Sequence, residues 1–147
     1  MKRLGNIIMA DDNQNDVSLV SYAFQEAGLD NPIQWLSTGE MLIHHLTEDR
    51  AQQQMPLLVV MDWKMPGTNP LNILRWIRKQ PEYLSLLVVV LTGSESPIEK
   101  QLAYEAGANW HIVKSSDFAD LAQLVHRIQQ FWSGAVVPET SGQLSSC

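Results

Sequence analysis

Six consecutive apolar residues, Leu86-Leu87-Val88-Val89-Val90-Leu91, constrain the fold more than any other stretch of this chain. A run this short, apolar at every position and rich in β-branched side chains, fits a strand buried on both faces, as in a parallel sheet. Leu4 to Ala10 and Pro56 to Met61 are runs of the same kind, and Pro32 to Leu36 and Asn109 to Val113 are weaker ones. Segments of helical spacing lie between them. Val17, Val20, Phe24 and Ala27 form one stripe, closed by Gly28. His44 and His45 fall in a second helix, where adjacent residues face different ways and share no metal. Asn69-Pro70 reads as an N-cap followed by a first-turn proline; Leu71, Leu74 and Ile77 follow, and Pro81 lies beyond the end. Ser96-Pro97-Ile98-Glu99 joins a capping box to the same early proline, and Gly107 stops the helix. Phe118, Leu121, Leu124 or Val125, Ile128 and Phe131 or Trp132 make the strongest stripe. Five β-α units in succession predict an α/β fold: a doubly wound five-stranded parallel sheet with right-handed crossovers. One domain spans 1–132, and 133–147 is an extension, partly apolar at Val136-Val137-Pro138 and then polar and frayed.

Composition narrows the partners. Ten Lys+Arg against sixteen Asp+Glu leave a net charge of −6, which duplex DNA and anionic membranes repel. No apolar run approaches the ~20 residues of a membrane span, and the start lacks a signal peptide's apolar region. Cys147 is the only cysteine, so no disulfide forms within the chain. These features fit a cytoplasmic protein.

In a doubly wound sheet, ligands sit outside the C-terminal ends of the strands. The residues that end the strands here are Asp11-Asp12, Asp62, Thr92-Gly93-Ser94 and Lys114-Ser115. Three carboxylates, a hydroxyl and an ammonium on one rim suit a hard divalent cation such as Mg²⁺. With the charge offset, the Asp62 carboxylate can attack a phosphoryl donor, Lys114 can compensate the phosphoryl oxygens, and Thr92 can donate to the product. Alone, Asp11-Asp12 is an acidic pair at a helix start, Thr92 and Ser94 cap a strand, and Lys114 is a solvated lysine. Their convergence favours the phosphoryl chemistry. The tryptophans at 35, 76, 110 and 132 read as core or interface packing, and Trp63, which directly follows Asp62, is the exception.

These residues resemble a family. Asp11-Asp12, Asp62-Trp63-Lys64-Met65-Pro66, Leu91-Thr92 and Ala106-Gly107-Ala108 before Val113-Lys114 are similar, in order and spacing, to the receiver domains of two-component response regulators, over roughly residues 4–132. The resemblance implies a flavodoxin-like (βα)5 fold with strand order 2-1-3-4-5. It implies that Asp62 is the phosphoacceptor, that Asp12, Asp62 and the main-chain carbonyl of Lys64 ligate Mg²⁺, and that Asp11 acts through water. Lys114 would pair with the phosphoryl group, and Thr92 would move toward it as the switch. The donor would be a sensor histidine kinase, and output would pass to a downstream protein, without enzymatic turnover beyond self-phosphorylation and self-dephosphorylation. The ending from Phe131 to Pro138, with Lys114-Ser115, is similar to single-domain regulators that partner phytochrome kinases and dimerise through the last helix and extension.

The chain departs from the family pattern at several points. Ser115 follows the lysine where proline is usual, which leaves cis and trans peptide bonds open; a non-proline cis bond costs ~3–4 kcal/mol. His111 stands at the aromatic switch position with Trp110 beside it, adding a pH-sensitive group. Pro70 replaces a common glycine. The Lys64 ammonium can lie near Asp12 and Asp62 and compete with the metal, or help bind phosphate. A degenerate receiver acting as a phosphorylation-independent binding module is therefore the alternative reading. An aspartyl-phosphate phosphatase wants a second aspartate where Lys64 stands. A flavodoxin-like cofactor binder wants a hydroxyl- and glycine-rich loop where Ala10-Asp11-Asp12-Asn13 is acidic.

Overall fold

A computed structural model describes residues 6–29, 31–114 and 118–132. Five strands alternate with five helices: β1 (Ile7–Ala10), α1 (Gln14–Glu26), β2 (Ile33–Leu36), α2 (Gly39–Ala51), β3 (Leu58–Asp62), α3 (Pro70–Lys79), β4 (Leu87–Thr92), α4 (Pro97–Ala106), β5 (Trp110–Val113) and α5 (Phe118–Trp132). The sheet is parallel throughout, in the order β2-β1-β3-β4-β5. This is the flavodoxin-like (βα)5 topology.

Side-chain alternation along each strand divides the core in two. Ile7, Met9, Leu58, Val60, Leu87 and Val89 pack against Val20 and Phe24 of α1 and Leu124, Val125 and Ile128 of α5. Ile8, Ala10, Val59, Met61, Val88 and Val90 face Leu42 and Leu46 of α2, Leu74 and Ile77 of α3, and Ala103 of α4. Every residue of β1, β3 and β4 is buried, which is why these strands read as unbroken apolar runs.

The caps also follow the sequence. Asn69 Oδ1 accepts the Leu71 amide ahead of Pro70, and Ser96 Oγ accepts the Glu99 amide ahead of Pro97. Gly28 adopts φ +80°, and the Leu29 amide closes α1 on Phe24 O. β3 and β4 begin later than their apolar runs. Pro56 has no amide to give β3, and the Leu86 amide is taken by Tyr83 O in a 3-10 turn (Pro81–Tyr83). The Lys114–Ser115 bond and the extension 133–147 lie outside the described residues.

The joint between α3 and the α4–β5 turn is held by one cation. Arg78 reaches Gly107 O through two nitrogens (3.0 and 2.7 Å), Tyr83 O at 2.8 Å and Asn109 Oδ1 at 2.9 Å. Gly107 has φ +120°, and a Cβ there would stand 2.5 Å from Arg78 Cγ, so the close approach requires glycine. This clamp fixes the start of β5, and β5 carries Lys114 to the rim.

Candidate functional site

Strand register brings the polar residues together. Ala10 pairs with Met61, Asp62 with Leu91 and Thr92 with Val113, so the residues that end β1, β3, β4 and β5 emerge at one level. The ladder extends past the strands, with the Asp11 amide on Leu36 O (3.0 Å) and the Lys114 amide on Thr92 O (2.5 Å). Asp11, Asp62 and Thr92 are buried, whereas Asp12 is exposed. One ligand oxygen from each of Asp11, Asp12 and Asp62 lies within 4.8 Å of the others.

Lys114 Nζ reaches into this cluster, 2.9 Å from Asp62 Oδ1 and 3.7 Å from Asp11 Oδ2. Its shortest contact, 2.6 Å, is to Asp16 Oδ2 in the first turn of α1. Sequence reasoning missed Asp16, because an acidic residue in a first helical turn is already accounted for by the helix dipole. Three carboxylates, those of Asp11, Asp16 and Asp62, thus surround one ammonium. Burial works against the charge of Lys114, but the contacts with Asp16 and Asp62 outweigh it and raise the ammonium's pKa above the ordinary lysine value. Burial pushes the Asp11 carboxyl up to about 7; the Asn13 amide opposes the rise and Asp62 adds to it. Asp11 Oδ2 is buried with no hydrogen-bond partner. An oxygen so placed is costly unless a cation or its water answers it. The all-oxygen donor set and this oxygen without a hydrogen bond fit a hard divalent cation.

The other expected residues are placed as follows. Lys64 is exposed, and among the described residues its ammonium makes no ion pair with Asp12 or Asp62; its amide lies 3.3 Å from Asp62 Oδ1. Trp63, Lys64 and Pro70 line an open depression that reaches Asp12. Thr92 Oγ1 accepts the Ser94 amide at 3.1 Å, so its hydroxyl is engaged by its own loop. Trp110 packs into the core with α5. The His111 ring is nearly enclosed, with Nε2 3.2 Å from Glu99 Oε2 in the first turn of α4.

The response regulator receiver domain family model matches residues 7–126. The regulatory protein FilR2 of Methanothrix harundinacea is 28% identical over 129 residues, covering 87% of this chain and 83% of its own. Response regulator Rcp1 of Synechocystis is 26% identical over 128 residues, covering 86% and 87%. The crystal structure of its Mn²⁺-bound form superposes with a TM-score of 0.73 at 25% identity, over 92% of this chain and 99% of that one. Response regulator RPA3017, in red light signalling of R. palustris, superposes with a TM-score of 0.77 at 25% identity, over 93% and 99%.

Proposed function

The chain belongs to the response regulator receiver domain family, and on that premise we propose that it is a signalling switch that accepts a phosphoryl group on Asp62 from a sensor histidine kinase. One observation carries this reading: Asp11, Asp12 and Asp62 converge on one rim with Lys114 2.9 Å from Asp62. A carboxylate oxygen of Asp62 is the nucleophile. Its lone pair forms the new P–O bond as the donor's P–N bond breaks; that electron pair leaves with the imidazole, which takes up a proton. Lys114 then offsets charge on the phosphoryl oxygens.

Asp12, Asp62 and the main-chain carbonyl of Lys64 hold Mg²⁺, with Asp11 acting through water. The buried Asp11 Oδ2, which accepts no hydrogen bond, supports this, as does the Mn²⁺-bound form of Rcp1. The bound ion supplies compensation of the carboxylate and phosphoryl charges. Thr92 turns toward the acyl phosphate by giving up the Ser94 amide, and His111 responds through Glu99. Phosphorylation thereby shifts an equilibrium between two interaction surfaces.

The downstream target is a protein in the same cytoplasmic compartment. The kinase is of the phytochrome type; the ending from Phe131 to Pro138 and the likeness to RPA3017 support this. The same ending supports a homodimer through α5 and the extension.

Intact-mass spectrometry after incubation with acetyl phosphate tests the reading. The wild type gains one phosphoryl group only with Mg²⁺, and Asp62→Asn gains none while remaining folded. Absence of any gain in folded wild type would instead support the phosphorylation-independent binding module.

A further inference from the structure

The geometry points to Trp35 as a positioning residue for the metal site: its indole N–H fixes the Asp11 carbonyl and so the direction in which Asp12 faces the cation. The inference rests on the metal-binding reading proposed above.

Packing does not account for Trp35. It lies on the edge strand β2, opposite Met9, and is 40% exposed. Its Nε1 donates to Asp11 O at 2.6 Å. In a parallel ladder, the Asp11 amide bonded to Leu36 O would be followed by a rung from the amide of residue 38 to Asp11 O. That rung is not made by backbone, because β2 ends at Leu36 and Thr38 has become the N-cap of α2, accepting the Met41 amide at 3.1 Å. The indole donates in its place.

The consequence falls on Asp12. Its side chain is exposed, so the backbone that carries it sets its direction. That backbone is held on either side of the Asp11–Asp12 peptide: the Asn13 amide donates to Asp11 Oδ1 at 2.8 Å, and Trp35 holds Asp11 O. Without the indole N–H, the 11–12 peptide plane can rotate and Asp12 must be reoriented each time the ion binds. The ordering cost then appears as lost affinity.

Trp35→Phe keeps a ring at the strand edge and removes the donor. Mn²⁺ binds the same oxygen ligands as Mg²⁺, and the EPR signal of the free ion gives its affinity whatever the fluorescence of the variant. The expected result is an affinity weaker by about five-fold, about 1 kcal/mol. The midpoint in Mg²⁺ of labelling by acetyl phosphate shifts by the same factor while the plateau rate is retained. A Phe variant that binds Mn²⁺ as the wild type does overturns the inference and reduces Trp35 to packing, even if that variant melts earlier. If the Phe variant does not fold, Trp35→Leu, an apolar side chain with no N–H or O–H donor, is read by the same criteria. A folded wild type that binds no Mn²⁺ is a different failure, because it overturns the metal site itself.

Discussion

The ammonium of Lys114 lies among three carboxylates, and its shortest contact, 2.6 Å, is to Asp16, which is not on the acidic rim. Asp16 shares the ammonium with Asp62, leaving the carboxylate proposed as the nucleophile less tightly paired. Asp16→Asn is expected to let Lys114 settle on Asp62 and to slow labelling by acetyl phosphate about tenfold at saturating Mg²⁺, about 1.4 kcal/mol in the barrier. Stability should change by no more than about 1 kcal/mol, since the pair is partly solvated; stopped labelling in an unfolded variant would not count as support. The rim residues were legible in the sequence because each ends a strand, and strand ends in this topology converge. Asp16 and Trp35 were not legible. Their partners, Lys114 and the Asp11 carbonyl, are met only through the register of the sheet, and locally each residue has an ordinary explanation as a dipole acid or a packed aromatic.

Between elements, a chain of short contacts joins the rim to β5. Thr92 Oγ1 accepts the Ser94 amide, Ser94 Oγ accepts the Ser96 amide, Ser96 Oγ accepts the Glu99 amide, and Glu99 meets His111. A movement of Thr92 therefore disturbs the cap of α4 and, through it, the ring of His111. Burial lowers the His111 pKa from the ordinary 6.5, Glu99 partly restores it, and Lys100 lowers it further. Arg127 of α5 lines the same recess. Because the folded value lies below the unfolded one, the unfolded chain binds the extra proton. The stability His111 contributes is complete above about pH 6.5 and is lost as pH falls below it. Urea denaturation at pH 7.5 and 5.5 should show the wild type losing more stability than His111→Gln; equal losses would contradict the burial of a neutral ring. The caps of α3 and α4 were readable because asparagine-proline and serine-proline-x-glutamate are local signals. The late starts of β3 and β4 were less so, since Pro56 lacks a donor and the 3-10 turn claims Leu86, while both residues look like strand to a hydropathy pattern.

At the scale of the whole molecule, alternation of buried strands and amphipathic helices dictates two helical layers, and the resemblance to receivers supplied the strand order that periodicity cannot. Within the described residues no helix is long and apolar enough to cross a membrane. The outer face of α5 bears Ala122, Gln123, His126 and Arg127 around a shallow depression. The proposed dimer predicts sedimentation as a dimer at high concentration and as a monomer after deletion of 133–147; a monomeric intact chain would remove it. Asp62 is the proposed carrier of the phosphoryl group. Borohydride reduction after labelling with acetyl phosphate and Mg²⁺, followed by peptide mapping, tests it most directly, because only an acyl phosphate is reduced to homoserine. Homoserine is expected at position 62 and nowhere else. Homoserine at Asp11, Asp12 or Asp16, or stable phosphate on a hydroxyl residue with Asp62 unchanged, would contradict it.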